Sequence, residues 1–182
     1  AAPARAEDVS TASEVSQAGD NTGQESSQLE SGGTAAPEIP QPGEQFYYLD
    51  QAGVLSQETR SAIVERNQGL YEKYGVQLVV FTSANLPVQG YAQRVEYLRS
   101  VMSQWQVGGG EGRGLILALS TGDEDYLAVA GEALKGEFTT QSLKAMLDAQ
   151  LEPDFAAKAY DAGVGKFFGA AADRAEAYCG AN

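Results

Sequence analysis

Residues 105–120 read WQVGGGEGRGLILALS, and this stretch decides the fold more than any other part of the chain. Its first residues end an amphipathic helix, its glycines form a connector, and residues 114–120 (GLILALS) form a continuously apolar strand. A strand without polar alternation is typical of a strand covered on both faces, as in the parallel sheets of α/β proteins. We therefore predict a buried strand that enters a sheet directly after a helix.

The segment upstream completes a βαβ unit with this strand. Residues 76–82 (VQLVVFT) are rich in β-branched side chains and almost continuously apolar, which predicts a second buried strand at the centre of the sheet. Between the two strands, apolar residues recur at the spacing of one helix face, at Tyr91, Val95, Leu98, Met102 and Trp105. Because a helix separates the strands, they are expected to run parallel through a right-handed crossover.

A helix is also predicted before this unit. Ser56 is a candidate N-cap for it, and Gly75 is a candidate end. Its buried stripe is predicted to consist of Ile63, Leu70, Tyr71 and Tyr74. This helix one leads directly into the strand at residues 76–82.

After the second strand, the chain turns too tightly for another crossover. A turn at residues 121–123 leads into a strand at residues 126–130, which is therefore predicted to be an antiparallel hairpin partner. Helix three is expected over residues 140–151, stopped by Pro153, and a last helix over residues 154–178. The predicted fold is an α/β/α sandwich, in which a small mixed sheet (the βαβ unit plus the hairpin strand) is flanked by about four helices.

The composition excludes several classes of function. The chain has no histidine, which removes serine–histidine triads, cysteine–histidine dyads, zincin motifs and histidine-ligated haem. Its single cysteine, Cys179, has no histidine to activate it and no basic loop around it, so we interpret it as a bystander. With 25 acidic and 12 basic residues, the net charge of −13 repels a phosphate backbone and argues against nucleic-acid binding.

Composition also divides the chain into a polar N-terminal segment and one domain that can fold. Residues 1–45 carry eight acidic residues, one basic residue and few large apolar side chains, so we expect a disordered acidic spacer. The α/β domain is predicted over residues 46–178, beginning with an apolar run at residues 46–49 (FYYL) that fits either a sheet edge or a helix face. Residues 179–182 form the C-terminal end. The longest charge-free apolar region, residues 75–93, holds too many polar side chains to span a bilayer.

Ligand-binding candidates lie at the ends of the predicted strands. Asp50 stands in an otherwise apolar segment, and burying it unpaired would be costly. Two interpretations stay open for it: a cap that accepts backbone N–H groups, or a ligand or metal role. Glu132 follows Gly131 at the end of a strand, where a helix N-terminus near Thr140 supplies a positive dipole. Arg113 is the side chain of the glycine-rich connector suited to holding an anion. We assign no catalytic residue.

Two further motifs have plain structural explanations. The glycine cluster at residues 108–114 (GGGEGRG) leaves a helix and enters a strand, whereas phosphate-binding loops follow a strand and open a helix. A helix-to-strand connector is therefore favoured over a ligand loop. Asp123, Glu124 and Asp125 resemble the Asp-x-Asp of haloacid dehalogenase-type phosphatases and the acid spacing of calcium loops, but the surroundings that both motifs require are missing. A solvated hairpin tip is the favoured interpretation.

In their order and spacing, these segments resemble the TPM domain family over about residues 47–168. The stretches similar to family motifs are LDQAGVLS at residues 49–56 (family V-x-D-x-A-x-x-L-[ST]), WQVG at 105–108 (W-x-I-G), RGLI at 113–116 (N-G-V-L), GEAL at 131–134 (G-x-G-L-E), and residues 153–163 (P-x-F…Y-x-x-G). The chain departs from the family pattern at Ala133, where glycine is usual, and at Lys135 and Thr140, where acids are common. Of the acidic constellation, Asp50 and Glu132 remain.

The resemblance implies an extracytoplasmic location, because members are envelope and thylakoid lumen proteins that usually carry a signal peptide and often a membrane anchor after the domain. It implies a membrane-anchored cell-envelope protein, with the anchor beyond residue 182, whose monomeric domain acts in assembly or maintenance of a membrane protein complex. Because the sequence lacks the usual catalytic groups, we predict that this domain is non-catalytic. Since a thylakoid lumen member is associated with acid phosphatase activity, the alternative is a metal-assisted acid phosphatase acting on phosphomonoesters. That enzyme would use Asp50 and Glu132 as calcium or magnesium ligands, and Thr140 or Arg113 to hold phosphate.

Overall fold

A four-stranded mixed sheet lies at the centre of the protein, whose computed structural model describes residues 37–181. The strands are β1 (Tyr48–Asp50), β2 (Gln77–Ser83), β3 (Gly114–Ser120) and β4 (Asp125–Ala130). The helices are α1 (Gln57–Tyr74), α2 (Tyr91–Trp105), α3 (Thr140–Met146), α4 (Glu152–Ala156) and α5 (Tyr160–Ala181). Short 3₁₀ segments at Gly109–Glu111 and Glu132–Leu134, and a π-helical segment at Leu147–Leu151, complete the elements of this part of the chain.

The strands follow one another across the sheet in the order β1-β2-β3-β4. β1, β2 and β3 are parallel and β4 is antiparallel to β3, so the predicted βαβ unit and the predicted hairpin are both confirmed. Val80 of β2 lies between Tyr48 of β1 and Leu117 of β3. The apolar run at residues 46–49 thus contributes to an edge strand and not to a helix face.

The two faces of the sheet carry separate cores, because successive side chains of a strand point to opposite faces. Leu78 and Val80 of β2 belong to a core shared with α1, α3 and α5. Val79 and Phe81 belong to a core shared with α2. All four side chains are at most 2% exposed. This arrangement confirms the α/β/α sandwich and explains why the inner strands lack polar alternation.

Both ends of α1 follow the signals in the sequence. The Ser56 hydroxyl accepts a hydrogen bond from the Thr59 N–H at 3.1 Å, and Gly75 ends the helix in the left-handed conformation with φ of 71°. Leu70 is buried as predicted, but Tyr71 is 53% exposed. The prediction for Tyr71 is wrong because consecutive helix residues are rotated by about 100°, which carries this side chain off the buried stripe.

The C-terminal helices differ from the prediction in their boundaries. Pro153 does not stop helix three: the chain continues from α3 through the π-helical segment into α4, where Pro153 lies in the first turn. Proline is tolerated there because the first N–H groups of a helix have no intrahelical partner. The break comes at Lys158, which has φ of 61°, so the last helix begins at Tyr160 and not at residue 154.

The 22-residue α5 packs along the core that it shares with α1 and α3. Its predicted apolar face is buried at Val164, Phe167, Ala171 and Ala175. The partly buried rings of Tyr160 and Tyr178 pack against the same core. Within residues 37–181, the apolar stretches of the helices fall short of what a bilayer-spanning helix needs.

Contacts with the domain begin before residue 46. Trp105 Nε1 donates a hydrogen bond to the Pro40 carbonyl at 2.8 Å, and Ile39 packs against the core shared with α2. Most of the predicted spacer, residues 1–45, lies outside the described residues. The described end of that segment is held against the α2 side of the sheet.

Candidate functional site

The carboxyl ends of the three parallel strands meet at one edge of the sheet, which is where open α/β sheets bind ligands. β1 ends at Asp50, β2 at Ser83 and β3 at Ser120. Polar side chains gather there in two groups. We name them the Asp50 cluster (Asp50, Arg60, Thr82 and Asp161) and the Arg94 cluster (Arg94, Ser120, Asp123 and Asp125).

The carboxylate of Asp50 is enclosed by donors from the protein itself. Its Oδ1 accepts hydrogen bonds from the Val54 N–H at 3.0 Å and from the Thr82 hydroxyl at 2.6 Å. Its Oδ2 accepts from the Leu55 N–H at 3.0 Å and from the Arg60 guanidinium at 2.8 Å. A carboxylate has about four acceptor positions, so this one is saturated, and the side chain is only 3% exposed. The geometry agrees with the cap interpretation.

These contacts also set the protonation state of Asp50. Burial on its own raises the pKa of the carboxyl, because it disfavours the charged form. The hydrogen bonds from Thr82, Leu55, Arg60 and Val54 outweigh burial, so the pKa of Asp50 lies below its ordinary value. The group is therefore held ionised, whereas a general acid needs a pKa raised toward the working pH.

Asp161, in the first turn of α5, joins the Asp50 cluster to the start of α1. Its Oδ1 accepts a hydrogen bond from the Ser56 N–H at 2.7 Å, directly beside the N-cap of α1. Burial raises the pKa of Asp161, and so does the nearby charge of Asp50. The hydrogen bonds from Ser56 and Thr59 lower the pKa by more than these effects raise it, so the pKa lies below the ordinary value. Both carboxylates of this cluster thus serve to hold elements together.

The second cluster is centred on Arg94, which the sequence analysis missed. The Arg94 side chain is 5% exposed, and its guanidinium donates to Asp125 at 2.7 Å and to Asp123 at 2.9 Å. Asp123 also accepts from the Ser120 hydroxyl at 2.6 Å, and this hydrogen bond is the main reason that the pKa of Asp123 lies below its ordinary value. One signal was present in the sequence: Arg94 precedes Leu98 by one helical turn and so shares its buried face.

The acidic motif at residues 123–125 is therefore only partly the solvated tip that was predicted. Glu124 does lie at the tip, with 71% of its side chain exposed and φ of 55°. Asp123 and Asp125 are only 22% and 21% exposed. The prediction is wrong for these two acids because an arginine from α2 reaches them and offsets the cost of their burial.

Three of the predicted ligand-binding residues lie at the opposite edge of the sheet. The Gly131 N–H donates to the first carbonyl of β3 at 2.7 Å, so Gly131 lies at the edge opposite the carboxyl ends of the parallel strands. Glu132 and Arg113 are in contact with solvent, and each pairs with a neighbouring charge, Lys135 at 3.0 Å and Glu111 at 3.1 Å. Arg113, Gly131 and Glu132 therefore lie at one edge of the sheet, and Asp50 lies at the other.

The structure does not bring Asp50 and Glu132 together. Asp50 aligns through Thr82 with Leu119 near the end of β3, whereas Gly131 bonds to the start of β3. Five residues of strand separate these levels, which is about 16 Å at the usual rise per residue. Across residues 37–181, no three Asp, Glu or Cys side chains gather in an arrangement that could hold a metal ion. One cation cannot use both acids as ligands.

The glycine-rich connector allows backbone segments to approach closely. Gly108 has φ of 81°, and a Cβ atom there would lie 2.2 Å from the Gly114 nitrogen. A Cβ atom at Gly131 would lie 2.4 Å from the Gly112 carbonyl oxygen. These contacts support the interpretation of residues 108–114 as a structural connector.

Thr140 lies away from the polar clusters, at the start of α3, where Thr139 is the N-cap. It lines a groove of about 500 Å³ that runs along β4. We name this feature the β4 groove. Its walls come from α2 and from the segment around α3, and they include Tyr91, Val95, Arg99, Lys135, Leu143 and Lys144.

Comparison with known proteins agrees with this architecture. The model of the family described as TPM domain matches residues 48–174, which is most of the folded part. No curated protein matches the chain.

Solved structures share the fold. The N-terminal domain of a protein from P. gingivalis, determined by NMR, has a TM-score of 0.64 at 18% identity, and the match covers 79% of this chain and 96% of that one. The BA42 protein from the psychrophilic bacterium Bizionia argentinensis has a TM-score of 0.54 at 10% identity, covering 69% and 83% of the two chains. The N-terminal domain of the cg2496 protein from Corynebacterium glutamicum has a TM-score of 0.51 at 15% identity, covering 80% and 84%. At these identities the likeness concerns the fold alone.

Proposed function

We propose, from the premise that the chain belongs to the TPM domain family, that it is the extracytoplasmic binding module of a membrane-anchored cell-envelope protein. In this role it contributes to the assembly or maintenance of a membrane complex and catalyses no reaction. The observation that carries the proposal is the saturation of Asp50, whose two carboxylate oxygens each accept two hydrogen bonds from the protein.

The ligand-binding edge of the sheet supports a non-catalytic role. Asp50 and Asp123 both have pKa values below the ordinary value, so neither is tuned to donate a proton near neutral pH. Both acids also form ion pairs with arginines: Asp50 with Arg60 at 2.8 Å, and Asp123 with Arg94 at 2.9 Å. A metal-assisted phosphatase would need carboxylate oxygens free to bind a cation, and here those oxygens stabilise loops and the hairpin.

The cell-envelope location rests on the family resemblance. Fractionation of the source cells tests it. We expect the protein in the membrane fraction, and we expect protease added to intact spheroplasts to degrade it. A protein found in the cytosol and protected from protease would contradict the location.

The activity test is hydrolysis of p-nitrophenyl phosphate by the purified chain, across acidic and neutral pH, with calcium, magnesium or a chelator. We expect no turnover above the buffer rate in any condition. Turnover that requires a divalent cation and disappears in Asp50→Asn would overturn the non-catalytic proposal, provided that the variant keeps its circular dichroism spectrum.

A second variant keeps that test decisive if Asp50→Asn does not fold. Glu132→Gln changes a side chain that is 75% exposed and pairs only across the surface, so it leaves the core intact. Activity that is lost in Glu132→Gln would assign the reaction to the phosphatase alternative. Absence of turnover in the wild-type chain supports the non-catalytic part of the proposal.

A further inference from the structure

β4 is an edge strand whose outer side carries no strand partner in the described part of the chain. Gly131, which follows the last residue of β4, donates its N–H to the carbonyl of Gly114 in β3, so these two residues form a hydrogen-bonded pair. Since such pairs alternate along an antiparallel ladder, the backbone groups of Ala128 and Ala130 point away from β3. At Ala128 and Ala130 the outer side of β4 thus offers backbone donors and acceptors.

This outer side lies at the bottom of the β4 groove and not on an open surface. Ala128 and Ala130 are 8% and 4% exposed, although their outward backbone groups have no hydrogen-bond partner within residues 37–181. Unpaired backbone groups on an edge strand are a template for pairing with another extended chain. The groove beside these two residues has a volume of about 500 Å³ and is walled by α2 and by the segment around α3.

The charge of the groove indicates what kind of chain fits. Arg99, Lys135 and Lys144 line it, against one acid, Asp148, so the lining has a net charge of +2. Lys135 pairs with Glu132 and Lys144 pairs with Asp148, but both ion pairs are exposed and therefore compete only weakly with an incoming carboxylate. The whole chain has a net charge of −13, which makes this a local cationic surface on an acidic protein. Between the charges, Val95, Leu143 and other apolar side chains form the walls. Charge complementarity therefore favours an acidic segment with apolar side chains.

We propose that the β4 groove binds an extended acidic peptide segment of a partner protein, which adds a fifth strand to the sheet beside β4. The backbone of Ala128 and Ala130 supplies the strand pairing, as in other cases of β-strand addition. Arg99 and Lys144 select for carboxylates, and the apolar walls take the alternate side chains. This site rests on the proposed binding function and names its position and its ligand class.

A second copy of the chain fits the groove less well. In a two-fold dimer through β4, the cationic linings of both copies, including Arg99 and Lys144, would face each other. Charge repulsion thus favours an acidic peptide strand over a second copy.

The test is a titration of the isotope-labelled full-length chain with an octapeptide in which valine alternates with glutamate, followed by NMR. We expect shifts at the amides of Tyr126, Ala128 and Ala130, and slower hydrogen exchange of the Ala128 and Ala130 amides on binding. The same octapeptide with lysine in place of glutamate is the matched ligand control, and we expect it to bind at least about tenfold more weakly.

Two variants separate the backbone and charge contributions. Ala128→Pro removes one outward N–H on an edge strand, where proline is tolerated, and should abolish binding. If that variant does not fold, the double variant Arg99→Glu with Lys144→Glu should weaken glutamate-peptide binding by about tenfold or more. Lys73→Glu, a charge reversal on the exposed face of α1, should bind as the wild type does.

Several outcomes would overturn the proposal. They are shifts that map away from β4, equal binding of the two octapeptides, and Ala128 and Ala130 amides already protected in the free chain. The last result would mean that a second copy or residues 1–36 occupy the groove, and sedimentation velocity would distinguish these occupants. If the chain hydrolyses the phosphomonoester and also binds the glutamate octapeptide, the non-catalytic function is contradicted but the peptide site is not. If the chain does neither, the peptide site is contradicted but the non-catalytic function is not.

Discussion

The side-chain amide of Asn67 binds both backbone groups of Leu78. Its nitrogen donates to the Leu78 carbonyl at 2.9 Å, and its oxygen accepts from the Leu78 N–H at 2.7 Å. β1 is only three residues long and pairs with residues 80–82 of β2, so it does not reach Leu78. A helix side chain thus pairs with the backbone of β2 at the level that precedes the start of β1.

We predict that Asn67→Leu lowers the free energy of unfolding by about 2 to 4 kcal/mol. Leucine has a similar shape, but it leaves the N–H and the carbonyl of Leu78 buried without partners, and each unpaired group costs about 1 to 3 kcal/mol. Urea denaturation measures this as a lower midpoint with an unchanged slope. Gln68→Leu, at the exposed neighbouring position of α1, is the control and should change stability by less than about 0.5 kcal/mol. Equal effects of the two changes would contradict the assigned role.

The hydrogen bonds of Asp50 predict an acid-dependent loss of stability. Because the pKa of Asp50 is lower in the folded state, its contribution is fully present above the unfolded pKa of about 3.9 and is lost as pH falls through the folded pKa. We expect wild type and Asp50→Asn to differ most above about pH 5. Below about pH 3.9 the difference in unfolding free energy should shrink steadily, because the unfolded chain then binds a proton at Asp50 that the folded chain binds only at lower pH.

The matched control for this prediction is Asp148→Asn. Asp148 forms an exposed ion pair with Lys144 at 3.1 Å and has no buried contacts of the Asp50 kind. Its effect should be small at every pH, since exposed pairs contribute little. If the difference in unfolding free energy between wild type and Asp50→Asn stays constant from pH 7 to pH 2.5, the carboxylate charge is not what stabilises the loop.

The central strands could be predicted because their apolar, β-branched residues leave few alternatives. Residues 76–82 and 114–120 must be covered on both faces, and the helix between them fixes their parallel direction. Contacts between distant positions could not be predicted in the same way. Arg94 meets Asp123 and Asp125 only after α2 and the hairpin have been placed on the sheet. The partners of Asp50 likewise depend on the final register of β1 and β2.

The C-terminal helices show a second limit of sequence reasoning. A proline inside a helical pattern ends a helix when it removes an i→i−4 hydrogen bond, which is why Pro153 was predicted as a stop. The π-helical segment before it widens the turn and lets a new first turn begin. Propensity alone does not encode that change of hydrogen-bonding pattern.

Arg94 should be a major contributor to stability. We predict that Arg94→Met costs about 3 kcal/mol, because it leaves Asp123 and Asp125 partly buried without their cation. Changing both acids to asparagine in the same chain should restore part of the loss, as measured by urea denaturation. Arg99→Met, on the exposed side of the same helix, is the control and should stay within about 0.5 kcal/mol of the wild type. If the triple variant were no more stable than Arg94→Met, unpaired charge would not be the cause of the loss.

Gly108 offers the sharpest test of the glycine-rich connector. Its φ of 81° is disfavoured for other residues, and a Cβ atom would lie 2.2 Å from the Gly114 nitrogen, which belongs to the rigid start of β3. We predict that Gly108→Ala lowers the unfolding free energy by about 3 kcal/mol or more, because backbone and strand must both shift. At Gly110, two residues on, a Cβ atom would meet nothing within 4 Å and φ is not positive, so Gly110→Ala should be neutral or slightly stabilising. Thermal denaturation of the two variants side by side measures the difference, and equal melting temperatures would mean that the connector tolerates side chains throughout.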